Sequence, residues 1–397
     1  MVSDIRRVVI VGASLAGYRT AQQLRRAGST DEILLIGDEP HYPYQRPPLS
    51  KGVLLGEMTP ERVRLRGAIE APFELRLDIA VDGLDTSQKA VRTEHGEWIG
   101  YDSLVIATGA SPNVLGTLPP GDNIVYLRRL DDALMLRDRF DDGVRAIAVI
   151  GAGFIGAEVA SSARARGIEV HLIDLETRPM SRVLGDEGSK ALATLHRQSG
   201  TKLHLGATVS DLSELSRGAI TLALSDGSSV AVDMVVVGIG VHPNTAWLNS
   251  SRLALTNGVV CGADGRAREV DGIFAVGDVA AWHHPRYRRT LRFEHFESAV
   301  NQAMVVAHNI AHDSSQLLDE IPFAWSDQYG HVIQFIGVSS ADSLEEIRVG
   351  RLAWDGSPSV VDYRDSEGRL IGALLINASS EINETKTAIE NDLVGLE

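Results

Sequence analysis

Short apolar runs alternate with helical patterns along much of the chain, and glycine-bearing turns separate them. The β-branched run at residues 8–11 leads into Gly12-Ala13-Ser14-Leu15-Ala16-Gly17. Apolar positions then recur with helical spacing as far as Arg26, and Gly28 supplies a C-terminal cap. A second apolar run at residues 33–36 follows, and the acidic pair Asp38-Glu39 closes the unit. The same order returns much later. Residues 147–150 lead into Gly151-Ala152-Gly153-Phe154-Ile155-Gly156, a helical pattern runs to Arg166, Gly167 ends it, and residues 170–173 precede Asp174. The pattern predicts two β–turn–α–β units, each closed by an acid. Further strands are expected at residues 103–106, within 272–278, and at 332–336 and 370–376. His283-His284 reads as a loop, and a helix is expected to begin near Val279.

Such a unit has specific chemistry. Its first glycine makes the tight turn, the second lets the backbone approach a pyrophosphate, and the third lets helix and strand pack closely. The helix N-terminus offers unpaired N–H groups and a positive dipole end to the phosphates. An acid after the second strand accepts hydrogen bonds from ribose hydroxyls. Two units in one chain imply two dinucleotides, most simply FAD and a nicotinamide cofactor. In the first unit Ser14 replaces the middle glycine, and its hydroxyl is small enough to sit by a pyrophosphate. The second is complete, and Asp174 favours NADH by repelling a 2′-phosphate, with Arg178 and Arg182 close downstream. The bland alternative is a doubly wound fold whose glycines only turn corners.

Composition narrows the class. Cys261 is the single cysteine among 397 residues, which excludes an internal disulfide framework, a CxxC redox pair and cysteine-rich zinc sites. No apolar run reaches the roughly 20 residues of a membrane-spanning helix, and a formal charge of −15 opposes generic nucleic-acid binding. Arg6 and Arg7 precede an apolar stretch, but it leads into a helix pattern without a cleavage site, so it is read as a buried strand in a cytoplasmic protein. His308 and His312 have the spacing of zinc ligands on a helix, yet no further ligand accompanies them, so no metal is assigned.

Between and after the repeats stand Gly37-Asp38-Glu39-Pro40, Tyr44-Gln45-Arg46-Pro47-Pro48-Leu49-Ser50-Lys51, Ala107-Thr108-Gly109 and the run from Gly238 through Gly240 to Asn244. Gly272-Ile273-Phe274-Ala275-Val276-Gly277-Asp278, Glu294-His295-Phe296 and Trp325-Ser326-Asp327-Gln328-Tyr329 complete the series. In this order, and spanning nearly the whole chain, these motifs resemble the FAD-dependent NADH:ferredoxin reductases, the putidaredoxin and rubredoxin reductases of oxygenase and cytochrome P450 systems. The resemblance implies an α/β fold with two Rossmann-like dinucleotide-binding domains (glutathione-reductase-like) and a small C-terminal α+β domain. It assigns to FAD Gly12, Ser14, Ala16, Gly17, Asp38, Glu39, Arg46, Lys51, Ala107, Thr108, Gly109, Asp278, Glu294, His295, Phe296 and Trp325. To NADH it assigns Gly151, Gly153, Phe154, Ile155, Gly156, Glu158, Asp174, Arg182, Gly238 and Gly240. Lys51 and Glu158 are the expected catalytic pair, paired in the family beside the isoalloxazine ring, where an ammonium stabilises negative charge on a reduced flavin. Otherwise Lys51 is a surface lysine, Glu158 a carboxylate favoured by its helix dipole, Asp278 a helix cap, and Phe296 and Trp325 core packing.

FAD-type motifs occur on both sides of the second fingerprint, so one nucleotide domain is inserted in another. The expected FAD domain comprises residues 1–112 and 245–320, the NADH domain 113–244, and the C-terminal domain 321–397. No cysteine lies between Asp38 and Lys51, which removes the thiol branch of two-dinucleotide flavoproteins. The resemblance then implies hydride transfer from NADH to flavin, followed by two single-electron transfers to a [2Fe–2S] ferredoxin serving an oxygenase or P450. The alternatives are an NADH oxidase or quinone-type flavoprotein without an iron–sulfur partner, and a redox-sensing binding flavoprotein. Arg62, Arg64 and Arg66, or Arg286, Arg288, Arg289 and Arg292, are candidate docking patches for an acidic ferredoxin, or ordinary solvated faces.

Overall fold

A computed structural model describes residues 6–214, 219–339 and 342–393, without the side chains of Arg182 and Glu214. The chain divides into two compact units, each assembled from three separate stretches. One runs up to Gln45 and includes Val63–Ser111 and His242–Pro322; the other takes Arg46–Arg62, Pro112–Val241 and the chain from Phe323.

The first unit is built on a five-stranded parallel sheet in the order Ile273–Ala275, Ser103–Ile106, Arg7–Val11, Glu32–Ile36, Glu74–Arg76. The central strand pairs Val8 with Ile33 on one side and with Ser103 on the other. Parallel sheets covered on both faces need apolar side chains on both, which explains why these strands read as continuous apolar runs. Val9, Ile10, Leu35, Leu104 and Val105 are fully buried there. Helix Leu15–Arg26 packs against the 17-residue helix Phe296–His312.

Two local expectations are corrected in this unit. Gly277–Val279 forms a single 3-10 turn, and strand Ala280–His284 follows it instead of a helix. The strand form prevails because Val259, Val260 and Cys261 pair in parallel with Ala280, Ala281 and Trp282, which buries this apolar segment. His283-His284 accordingly ends a strand rather than lying in a loop, paired with Thr290 and Arg289. Buried His284 places Nε2 2.9 Å from the Glu320 carbonyl oxygen.

The second unit repeats the first plan. Its parallel sheet has the order Lys202–Leu205, Glu169–Asp174, Ala146–Ile150, Met234–Val237, Ile124–Tyr126. Helix Phe154–Ala165 connects its two central fingerprint strands. From Phe323 the chain forms an antiparallel five-stranded sheet, in the order Phe323–Gln328, His331–Gly337, Leu370–Ile376, Ser359–Arg364, Leu344–Val349, with helix Ile382–Asp392 packed on it. Strand Phe323–Gln328 also packs on helix Phe154–Ala165. So does the short 3-10 helix Pro47–Ser50, started by Pro47 and Pro48. Proline tolerates a first helical turn because its missing N–H would be unbonded there.

Candidate functional site

The first fingerprint gathers residues from distant parts of the first unit at the N-terminus of helix Leu15–Arg26. Gly12 takes a φ of +113°, and a Cβ there would fall 2.1 Å from the Ala107 carbonyl oxygen. The bare backbone thus lets the Ala107-Thr108-Gly109 turn lie against the loop. A Cβ on Gly17 would reach within 2.0 Å of the Gly12 carbonyl oxygen, so helix and strand touch backbone to backbone. A Cβ on Gly37, just before Asp38, would fall 2.5 Å from the Ala13 methyl, and one on Gly277, just before Asp278, would fall 2.9 Å from the Ala16 methyl. Gly12, Ala16, Gly17 and Ala107 therefore meet around one loop, and Asp38 and Asp278 each follow a glycine packed against it. The helix has no acid in its first turn, and the Ser14 side chain makes no cap bond. Its terminal N–H groups and dipole are arranged for an anion such as pyrophosphate.

Around this loop other candidates have defined partners. Asn244, absent from the sequence-based selection, locks the turn: its side chain donates to Thr108 O at 2.8 Å, its N–H donates to Gly109 O, and Thr108 Oγ1 donates to Asn244 O. Tyr44 donates its hydroxyl to Glu39 at 2.5 Å. Glu294 pairs with Arg292 at 2.8 Å, and Arg292 also donates to the Asp278 carbonyl. His295 ends the loop before helix Phe296–His312, and its Nδ1 is shielded from water without a hydrogen-bond partner. Burial lowers this imidazole to about 4, so it is neutral at pH 7. Phe296 is half-buried. Arg46 belongs to the other unit, where its Nη1 donates to Arg128 O at 2.6 Å.

The second fingerprint shows the three glycine roles separately. Gly151 has a φ of +100°, with Gly238 O 2.3 Å from where its Cβ would stand. A Cβ on Gly156 would fall 1.9 Å from Gly151 O. At Gly153 the same test meets nothing within 4 Å. The outer two positions are closed by backbone and the middle one opens to space, as pyrophosphate approach requires. Helix Phe154–Ala165 again starts without an acid in its first turn, half-buried Phe154 and exposed Ile155 stand beside the opening, and Asn113 holds the Gly238–Gly240 segment through Ile239 O and Gly240 O. Asp174 accepts N–H bonds from Ala152 at 2.5 Å and Glu176 at 2.7 Å, so it braces the glycine turn. Arg178 pairs with Asp186, and the side chain of Arg182 lies outside the described residues.

Within the second unit Lys51 and Glu158 meet. Lys51 Nζ is 3.1 Å from Glu158 Oε1 and 2.9 Å from Asp327 Oδ2, and it lies 5.7 Å from the Trp325 ring centroid. Glu158, on helix Phe154–Ala165, has a side chain only 5% exposed. It accepts hydroxyl hydrogen bonds from Ser50 at 2.5 Å and Ser326 at 2.7 Å. Gln328 donates to Ser326 Oγ and so orients that hydroxyl, while Ser162 donates to the Ser50 backbone carbonyl and fixes the main chain that carries the other. Burial raises the Glu158 carboxyl above its ordinary value, against the opposing pull of Lys51 and the two serines. The sequence selected Lys51, Glu158 and Trp325; Ser50, Ser326 and Asp327 were visible only as parts of recognised motifs. Cys261 is buried in the first unit, and desolvation pushes its thiol up to about 12. That is no nucleophile.

Two fingerprint sites with a buried ammonium–carboxylate pair define an FAD-dependent, NADH-linked flavoprotein oxidoreductase. Residues 6–303 match the pyridine nucleotide-disulphide oxidoreductase family and residues 323–394 the reductase C-terminal family. The chain is 33% identical over 386 residues to the ferredoxin–NAD(+) reductase component of the anthranilate 1,2-dioxygenase system of Burkholderia cepacia, covering 96% of this chain and 93% of the relative. It is 34% identical to rhodocoxin reductase of Rhodococcus erythropolis, over 86% of this chain and 80% of that one. The reductase in a covalent putidaredoxin reductase–putidaredoxin complex superposes with a TM-score of 0.91 at 30% identity, covering 98% of this chain and 93% of that chain. The chain belongs to the ferredoxin reductase family of FAD-dependent, NADH-linked enzymes.

Proposed function

We propose that this enzyme takes two electrons from NADH and delivers them singly to a [2Fe–2S] ferredoxin of an oxygenase or cytochrome P450 system. The net reaction is NADH plus two oxidised ferredoxins giving NAD+, one proton and two reduced ferredoxins. The observation that carries this reading is a charged pair without a thiol: the one cysteine of the chain is buried and protonated, so no disulfide relays electrons. Bound FAD supplies the conversion from two-electron to one-electron chemistry. Gly12, Ser14, Ala16, Gly17, Asp38, Glu39 and the Ala107-Thr108-Gly109 turn hold it, with Asp278 on the ribityl chain and Glu294, His295 and Phe296 near the flavin. Gly151, Gly153, Gly156, Asp174, Gly238 and Gly240 hold NADH. Lys51 supplies positive charge beside the flavin, and Glu158, fixed by two serine hydroxyls, orients Lys51 and closes the nicotinamide side. The proposed FAD domain comprises residues 1–112 and 245–320, apart from the segment Arg46–Arg62 that packs in the second unit, with the NADH domain at 113–244 and the C-terminal domain at 321–397. Among the described residues no helix is long and apolar enough to cross a membrane, which supports a cytoplasmic location.

Ferredoxin docking depends on local charge, not on the net −15. Arg286 pairs with Asp319 and Arg292 with Glu294, and Arg64 lies over the Tyr42 ring. Arg62 and Arg66 in one segment and Arg288 and Arg289 in the other are exposed, and we place the docking charge on one of these two segments. The test is anaerobic mixing of the FAD-loaded protein with NADH, with and without a [2Fe–2S] ferredoxin, across ionic strength. NADH should bleach the flavin at a salt-independent rate, and ferredoxin reduction should slow as salt rises. Equal cytochrome c reduction without any iron–sulfur carrier would refute the partner, and a salt-insensitive ferredoxin step would refute the basic patch.

A further inference from the structure

Strand Phe323–Gln328 presents its two faces to the two members of the charged pair. Ser326 and Gln328, both buried, alternate with Trp325 and Asp327, which are more exposed. Alternation along a strand sends successive side chains to opposite faces. One face reaches the acid: Gln328 donates to Ser326 Oγ at 3.0 Å, and Ser326 donates to Glu158. The other reaches the base: Asp327 Oδ2 stands 2.9 Å from Lys51 Nζ, and the Trp325 ring lies near the same ammonium. Lys51 thus has two carboxylate partners. The nearer is Asp327, whose side chain is 49% exposed, while Glu158 is enclosed. No other charged side chain pairs with Lys51 among the described contacts.

From this arrangement we propose that Asp327 is a positioning residue, dividing the Lys51 ammonium with Glu158 and so setting how much positive charge the pair presents to the flavin. This rests on the assignment of Lys51 to the flavin side of the site. With Asp327 ionised, part of the lysine charge is neutralised at the solvent edge. Replacing it by a neutral isostere leaves the ammonium to Glu158 alone and adds one net positive charge locally. A more positive surrounding favours the reduced, more negative flavin. The acid should respond as well. Lys51 then pulls harder on Glu158, whose other polar neighbours, Ser50 and Ser326, are uncharged.

The test uses full-length FAD-loaded protein as parent, Asp327→Asn and Asp327→Glu. Exposed ion pairs shift equilibria by roughly two- to fivefold, so Asp327→Asn should raise the reduced-to-oxidised flavin ratio at fixed potential by that factor. This corresponds to about 10–20 mV for a two-electron couple, tenfold being about 30 mV. The shift should shrink with added salt, and Asp327→Glu should return the potential to that of the parent. An infrared titration of the protonated carboxyl band, read against Glu158→Gln, should show Glu158 ionising at lower pH in Asp327→Asn. An unchanged potential in Asp327→Asn, or an Asp327→Glu protein that behaves like Asp327→Asn, overturns the proposal, as does loss of FAD without a shift. A parent that binds FAD but cannot reduce ferredoxin refutes the proposed function alone, because both readouts remain measurable.

Discussion

Replacing Lys51 by methionine should destabilise the protein in a strongly pH-dependent way. The substitution keeps most of the side-chain volume and removes the ammonium 3.1 Å from Glu158 Oε1. Removing one member of a buried ion pair typically costs about 3–5 kcal/mol, because the other charge is left in low dielectric. Lys51 is 17% exposed and Glu158 retains the Ser50 and Ser326 hydroxyls, so about 2–4 kcal/mol is expected at pH 8. The sign with pH follows from the direction in which Glu158 moves. Burial already holds this carboxyl above its ordinary value, and Lys51 is the largest opposing influence. Without Lys51 it rises further. In the window between the ordinary glutamate value, about 4.3, and the raised folded value, the folded state binds more protons than the unfolded state. Stability therefore falls as pH rises through that window, by at most about 1.4 kcal/mol per pH unit. Below the window Glu158 is neutral in both states, and most of the deficit should vanish. Urea midpoints at pH 5, 6, 7 and 8 with saturating FAD, for parent, Lys51→Met and Lys51→Met/Glu158→Gln, measure the effect. The double variant should recover much of the loss at pH 8. Equal destabilisation at pH 5 and pH 8, or no recovery in the double variant, would refute an ionised Glu158 held in place by Lys51.

Further outcomes follow from the glycines and the cysteine. Gly153→Ala places its methyl in open space, so stability should change by no more than about 1 kcal/mol, the helix-terminal effect of glycine replacement, while the KM for NADH rises with FAD content unchanged. Gly156→Ala puts a carbon 1.9 Å from a backbone carbonyl and should cost more than about 3 kcal/mol or prevent accumulation of folded protein, measured by circular dichroism and yield. The buried Cys261 thiol, raised to about 12, should resist alkylation at pH 8 in the native protein and react fully in denaturant, as counted by mass spectrometry.

The two fingerprints were legible because their constraints are local. Turn, phosphate approach and helix packing are met by three small residues within six positions, so residues 12–17 and 151–156 disclose a dinucleotide fold before any tertiary contact is known. The flanking strands were legible for a related reason: a parallel sheet buried on both faces demands apolar side chains at every position. Composition alone excluded an internal disulfide, since the chain has one cysteine; excluding a single catalytic thiol took the position of Cys261 in the sequence and its burial in the fold.

What surrounds Glu158 depended on the tertiary structure. Its serine partners lie 108 and 168 positions away, and Asp327 stands 276 positions from Lys51. Serine and aspartate are common on surfaces, and nothing in their local sequence distinguishes a hydroxyl aimed at a buried carboxylate from one aimed at water. The strand Ala280–His284 shows the same limit, because its parallel partner Gly258–Cys261 comes from a separate stretch of sequence. Local periodicity reports which face of an element is buried. It does not report which polar groups the returning chain brings to that face, and at the Lys51–Glu158 pair those groups determine how the charge is shared.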